Sequence, residues 1–193
     1  MKIFVIKSDA ENYRWLEYKG NWFDFFSNLL DSNPLGVFEH TIEWKTIRDK
    51  KDLPIGDFPC FSVPAISQKA KYVLKKHFGG LVEIFPFAPN KKYGQFYFMN
   101  ITNLLDSLDL EKSELKFALD GKRIMRIKRY VFQEKILEMN TNVFKLQNKK
   151  RGEIFVNEIT KQLIEDAGLE GFIFTQVWDS ENPDFVYEPR KIL

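Results

Sequence analysis

Apolar residues come first as a block, Ile3-Phe4-Val5-Ile6 between Lys2 and Lys7, and this predicts a buried strand at the start of the chain. Asn33-Pro34-Leu35-Gly36 marks a turn before a half-buried strand over 41–47, where Ile42 and Trp44 alternate with Glu43 and Lys45. The period then changes to that of a helix. Ser67 is its N-cap, Ala70, Val73, Leu74 and His77 form its apolar side, and Gly79-Gly80 ends it. Leu81 to Phe87 returns to extended structure and pairs with Gln95 to Ile101 across Tyr93-Gly94, leaving Val82, Ile84, Phe96 and Phe98 to pack. Asn103 to Leu110 reads as a short helical turn. Asp120-Gly121 tolerates positive φ and predicts a second hairpin between 115–119 and 122–132, with Met125, Ile127 and Val131 facing the core.

A second helix starts at the N-cap Asn157, places Ile159, Leu163 and Ala167 on one face, and stops at Gly168 in the left-handed conformation. The aromatic strand Gly171 to Asp179 follows. Residues 61–87 and 154–177 share one order of parts: a short extended piece, an amphipathic helix, a glycine stop and a strand. The expected fold is α+β, mainly antiparallel sheet with two principal amphipathic helices. A chain of 193 residues, 44% hydrophobic and 16% aromatic, has the size and apolar content of a single domain spanning 1–193.

Charge is spread unevenly. The net value is +2, but residues 61–130 carry thirteen Lys and Arg against six Asp and Glu, while both flanking thirds are acidic. Near-neutrality overall argues against a wholesale nucleic-acid mimic. The single cysteine, Cys60, forms no internal disulfide and fits a reduced cytosol. The apolar run 3–6 is far too short for a signal segment or a spanning helix, so the expectation is a cytoplasmic protein with no membrane partner.

Candidate chemistry is sparse. His40 and His77 have no metal-ligand spacing, and His77 in a last helical turn suits the macrodipole as a cation. Cys60 lies between Phe58-Pro59 and Phe61, where a thiol is raised in pKa and unreactive. Asp106, Asp109, Glu111 and Glu114 lack the glycine and alternating oxygens of a calcium loop. Arg123, Arg126, Lys128 and Arg129 accompany Tyr130 and Phe132 as phosphate contacts and stacking groups would, but strand alternation splits the cations between two faces. The reading is therefore no enzyme, no cofactor, no metal and no nucleic acid. Partner contact is expected instead from Trp15, Tyr18, Trp22, Asp24 and Phe26, aromatic anchors next to carboxylates, although the same rings would serve equally as core.

Several stretches carry a resemblance. Phe98-Met99-Asn100-Ile101-Thr102-Asn103-Leu104-Leu105-Asp106, the basic strand 123–132, and Gly171-Phe172 with Phe174 and Trp178 resemble, in order, an immunity-protein family of bacterial polymorphic toxin systems, the eleventh numbered family of that group. Asp57-Phe58-Pro59 and Pro64-Ala65-Ile66-Ser67 extend the likeness to about 55–179. The resemblance implies an immunity protein that binds a cognate toxin domain, encoded by a neighbouring gene, and neutralises it by steric occlusion. It makes Asn103, Asp106, Gly171, Phe172, Phe174 and Trp178 a structural signature. A toxin-delivery adaptor and a small carboxylate-dependent hydrolase are the alternatives.

Overall fold

The computed structural model describes residues 1–19, 31–38, 41–47, 52–182 and 185. Its plan is two β-α-β units of the same design. In the first, β4 (Ala65–Ser67) leads into α1 (Gln68–Phe78) and then β5 (Val82–Pro86). Between the two strands, antiparallel to both, lies β6 (Phe96–Ile101). In the second, β11 (Ile154–Asn157), α2 (Glu158–Asp166) and β12 (Phe172–Asp179) flank β1 (Lys2–Ser8), again antiparallel to both neighbours. The similarity legible between 61–87 and 154–177 is thus a shared architecture, and in each unit the central strand comes from elsewhere in the chain.

Both helices start where a short polar side chain can accept an otherwise orphaned amide. Ser67 Oγ accepts from Ala70 N at 3.1 Å, and Asn157 Oδ1 from Thr160 N at 2.9 Å. Each such cap contributes about 1 kcal/mol. Gly168 ends α2 at φ +57°.

The buried face of α2 differs from the expected one. Ile159 is 64% exposed, whereas Thr160 and Ile164 are buried and Leu163 and Ala167 only half-buried. Thr160 is tolerated inside because its hydroxyl donates to Asn142 O at 2.8 Å and accepts from His77 Nε2 at 2.7 Å. A satisfied polar group turned the helix away from its apolar pattern.

Three cores are stacked across the two sheets. The central core lies between the sheets and gathers Phe4 and Ile6 of β1, Tyr97, Met99 and Ile101 of β6, Ala70, Leu74 and Phe78 of α1, and Ile164 of α2. Ile3, Val5 and Phe155 point from the opposite face of the second sheet into a second core. Phe96 and Phe98 point from the first sheet into a third core with Ile42, Trp44 and Leu16. Burial on both faces explains the nearly unbroken apolar runs of β1, β6 and β11. At β12 the register skips Val177, pairing Ile3 with Trp178 and Phe4 with Gln176, and this bulge turns two successive residues, Val177 and Trp178, toward the second core.

The remaining strands wrap these cores. β2 (Leu16–Tyr18) pairs with β3 (Trp44–Thr46) over the third core. β8 (Glu114–Phe117) and β9 (Ile124–Arg129) form the hairpin expected around Asp120-Gly121 and cover the second. Residues 103–110 are not a helical turn. Leu104–Leu105 form β7, parallel to β10 (Lys145–Leu146). Along β9, Ile124 and Ile127 are buried and Met125 is 54% exposed, contrary to simple alternation, because the hairpin register shifts twice.

Two glycine backbones fasten the first-sheet side to the second. Gly171 is buried at φ +83°, where a side chain is strained, and lies against Gly56. A Cβ on Gly56 would stand 2.9 Å from Tyr13 Cδ1, 3.0 Å from Gly171 Cα and 3.1 Å from Glu170 O. Two of those atoms are backbone and cannot swing aside. Gly56→Ala is expected to lower stability by about 1 to 3 kcal/mol, read as a lower urea midpoint at constant m-value; an unchanged midpoint would show that this contact yields freely.

Candidate functional site

The expected partner-contact residues divide. Trp22, Asp24 and Phe26 lie outside the described residues. Trp15 is 37% exposed at the edge of β2, its indole N–H donating to Ala10 O at 2.8 Å while the ring stays on the surface. An Asx turn at Asp9, which accepts from Glu11 N and Asn12 N, shapes the loop that presents it. Tyr18 is half-buried against the third core, and the Glu17–Lys45 ion pair between them is exposed at 3.0 Å.

The signature residues are distributed through the frame. Asn103 donates to Asn140 O at 2.8 Å and Val143 O at 2.9 Å and receives Lys145 N on its carbonyl, which fixes β10 beside β7. Asp106 is exposed and reaches Lys135 at 3.8 Å. Phe172 stacks on Phe58 at 4.8 Å and 11°, and Phe174 continues the stack at 6.2 Å. Trp178 meets Phe132 edge-on at 5.6 Å. Both Phe172 and Trp178 are half-buried, packed against cores rather than enclosed by them.

Polar groups with chemical potential are engaged in holding the fold. A cleft of about 480 Å³ beside the start of α1 contains Arg14, Asp57, Ser67 and Tyr93. Arg14 is buried, donating to Leu53 O at 3.1 Å and Tyr93 Oη at 2.9 Å. Asp57 accepts from the Ser67 hydroxyl on one oxygen and from Glu170 N at 2.9 Å on the other, which ties the start of α1 to the loop after α2. Glu83 lies below the usual carboxylate range: burial pushes it up, but the amides of Leu35 and Gly36 and the Asn100 side chain outweigh that.

His77, in the last turn of α1, is tied to α2 as well as to its own helix. Burial lowers its pKa, and because Thr160 spends its proton on Asn142 O, the Nε2 of His77 is the donor to Thr160. It bridges the two helices through this bond. The carboxylates of 106–114 diverge, Asp109 to the amides of Glu111 and Lys112, Asp106 to Lys135, and Glu114 to Lys128. Among the described residues no three His, Cys, Asp or Glu side chains gather as a metal site.

Tyr130 and Phe132 are buried at 4% and 5% exposure, so the rings beside the basic strand belong to the second core. The cations themselves are outside: Arg123, Arg126, Lys128 and Arg129 are all exposed, where alternation had separated them onto two faces. A groove of about 530 Å³ runs between Arg123, Ile124 and Met125 of the hairpin and Asn148 to Arg151. A wider one, about 840 Å³, lies between the Asp109 turn, residues 129–134 and Trp178 to Ser180. The strands and loops that build both grooves are those in which a family likeness was legible.

Residues 86–179 match the model of the immunity protein family Imm11. No curated protein matches the chain. The Imm11 segment runs from the end of β5 to the end of β12 and contains all six signature residues. It takes in the β8–β9 hairpin, the second β-α-β unit except for β1, and both grooves for the most part. It does not include Asp57-Phe58-Pro59 or Pro64-Ala65-Ile66-Ser67, nor Trp15 and Tyr18. Among the described residues no helix is long and apolar enough to cross a membrane. What sequence reasoning missed in this region is the common exposure of the hairpin cations, and the signal was there: three-residue spacing of Arg123, Arg126 and Arg129 together with Ile124 and Ile127.

Proposed function

We propose that this chain is an immunity protein that binds a cognate toxin domain, encoded by a neighbouring gene, and neutralises it in the cytoplasm by steric occlusion without turnover. The observation that carries the reading is the match of residues 86–179 to an immunity protein family. The geometry supports it. Asp57, Ser67, His77, Glu83 and Asn100 are spent on internal hydrogen bonds that hold loops and helices in place, which is the economy of a rigid binding scaffold. The whole chain acts as one domain, and Trp15 and Tyr18 stand with Trp22, Asp24 and Phe26 as a candidate contact region.

The test is growth of a sensitive host that expresses the C-terminal domain of the adjacent large open reading frame, with and without this protein. Specific rescue is the expected result. Absence of rescue, with both proteins soluble and the domain demonstrably toxic, would refute immunity and leave an adaptor or a carboxylate-dependent hydrolase.

A further inference from the structure

The β8–β9 hairpin is the most unusual surface of the molecule. Among the described residues its two strands pair with no others, so it projects as a ribbon whose inner side, Leu115, Ile124 and Ile127, closes the second core. Its outer side is left cationic. Residues 110–129 hold seven Lys and Arg against three Asp and Glu. Two of those acids are already engaged: Glu114 pairs with Lys128 at 2.6 Å, and Asp120 accepts the amides of Lys122 and Arg123 in the turn.

Lys116 and Arg126 stand directly opposite each other in the register, both exposed, and neither forms an ion pair with a described residue. Like charges placed across a strand pair destabilise it. The same ribbon exposes large apolar side chains, with Phe117 at 46%, Leu119 at 111% and Met125 at 54% exposure. Three of the nine exposed large hydrophobics among the described residues are therefore within this one element, and a fourth, Leu110, lies just before it.

The groove beside it repeats the pattern. Of its cations, Lys149 and Arg151 are answered by Glu153 at 2.8 Å and Asp31 at 2.6 Å. Arg123 and Lys150, on either side, form no ion pair with a described residue, and Ile124 and Met125 supply the apolar lining.

We infer that the β8–β9 hairpin and the groove between Arg123 and Lys150 are the docking surface for an acidic, partly apolar face of a protein partner, which in the reading above is the toxin domain. The inference rests on that reading. Charge complementarity selects an anionic partner, since a carboxylate beside Arg126 would relieve its repulsion with Lys116. The exposed Leu119 and Met125 select a protein over a nucleic acid, because Tyr130 and Phe132 are buried and Phe117 is the one exposed ring of the hairpin, too few to stack successive bases.

The experiment measures affinity of the full chain for the purified, inactivated toxin domain and, separately, for a DNA duplex, with melting temperature determined in parallel. Arg126→Glu places a carboxylate opposite Lys116 and should leave the melting temperature unchanged or raised, while weakening toxin binding roughly tenfold or more. Arg123→Glu with Lys150→Glu should weaken it further, and Lys75→Glu with Lys76→Glu on α1 should not. Wild-type binding should fall as salt rises from about 0.05 to about 0.3 M. Binding by both hairpin variants within about twofold of wild type would overturn the docking site and leave immunity standing. Failure of the wild type to bind or protect overturns both. Duplex binding abolished by these substitutions while toxin binding persists would assign the surface to nucleic acid instead.

Discussion

Replacing Phe155 by alanine should remove about 3 to 5 kcal/mol of stability, the largest loss expected from any single change described for this protein. The residue is 1% exposed in β11, one face of its ring stacked on Phe144 at 5.2 Å and its edges met by Tyr130 at 5.6 Å and Phe132 at 6.1 Å. Phe132 also packs on Phe144 at 6.2 Å and on Tyr130 at 6.4 Å, so filling the space would require these rings to leave contacts they already make. A domain of this kind has about 5 to 15 kcal/mol in total, so the variant should be partly unfolded at growth temperature and lose protection accordingly. Urea unfolding of Phe155→Ala beside Phe155→Leu measures it, the leucine costing less than half as much. A midpoint within experimental error of the wild type would contradict the described packing of the second core.

The second large effect has the opposite sign. Lys145 is 4% exposed, and burial lowers its pKa from 10.5 to about 8, with Asp31 opposing the shift. The unfolded chain keeps this proton up to about pH 10.4, whereas the folded one releases it from about pH 8 upward. The unfolded state thus binds more protons in that window, and stability rises with pH across it. At neutral pH the whole penalty is present. Lys145→Met should raise stability by roughly 2 to 3 kcal/mol at pH 7 and flatten the rise between about pH 8 and about pH 10. Destabilisation by this substitution would mean that the ammonium is well solvated or firmly paired.

Local patterns in the chain announced the helices well and the surroundings poorly. Ser67 and Asn157 are legible as caps because capping is a three-residue event. The rotation of α2 was not, since it depends on Thr160 meeting Asn142 and His77 from other elements. Leu104–Leu105 became a strand only through a parallel partner forty residues on, and no local period records that. The hairpin at Asp120-Gly121 was predicted, but its two register shifts turned Met125 outward and left Arg123 and the three cations of β9 all at the surface. Of the signature residues, Asn103 is hydrogen-bonded to Asn140 and Val143, Phe172 and Trp178 pack on neighbouring rings, and the exposed contact of Asp106 with Lys135 contributes little. Sequence reasoning put partner contact on Trp15, Tyr18, Trp22, Asp24 and Phe26, and of these five Trp15 and Tyr18 are described.

The position of β1 has a kinetic consequence. The first β-α-β unit can assemble as soon as residue 101 has left the ribosome, because β6 follows its own flanking strands closely. The second cannot. Its central strand is made long before its outer strands, so until β11 and β12 appear β1 waits with both hydrogen-bonding edges open and an apolar surface on each face. Closure joins Ile3 to Trp178, a pairing of very high sequence separation, and such pairings are slow. The second sheet can form only once residue 179 has been made and has cleared the ribosome, and until then the exposed β1 makes the nascent protein a natural client for holding chaperones.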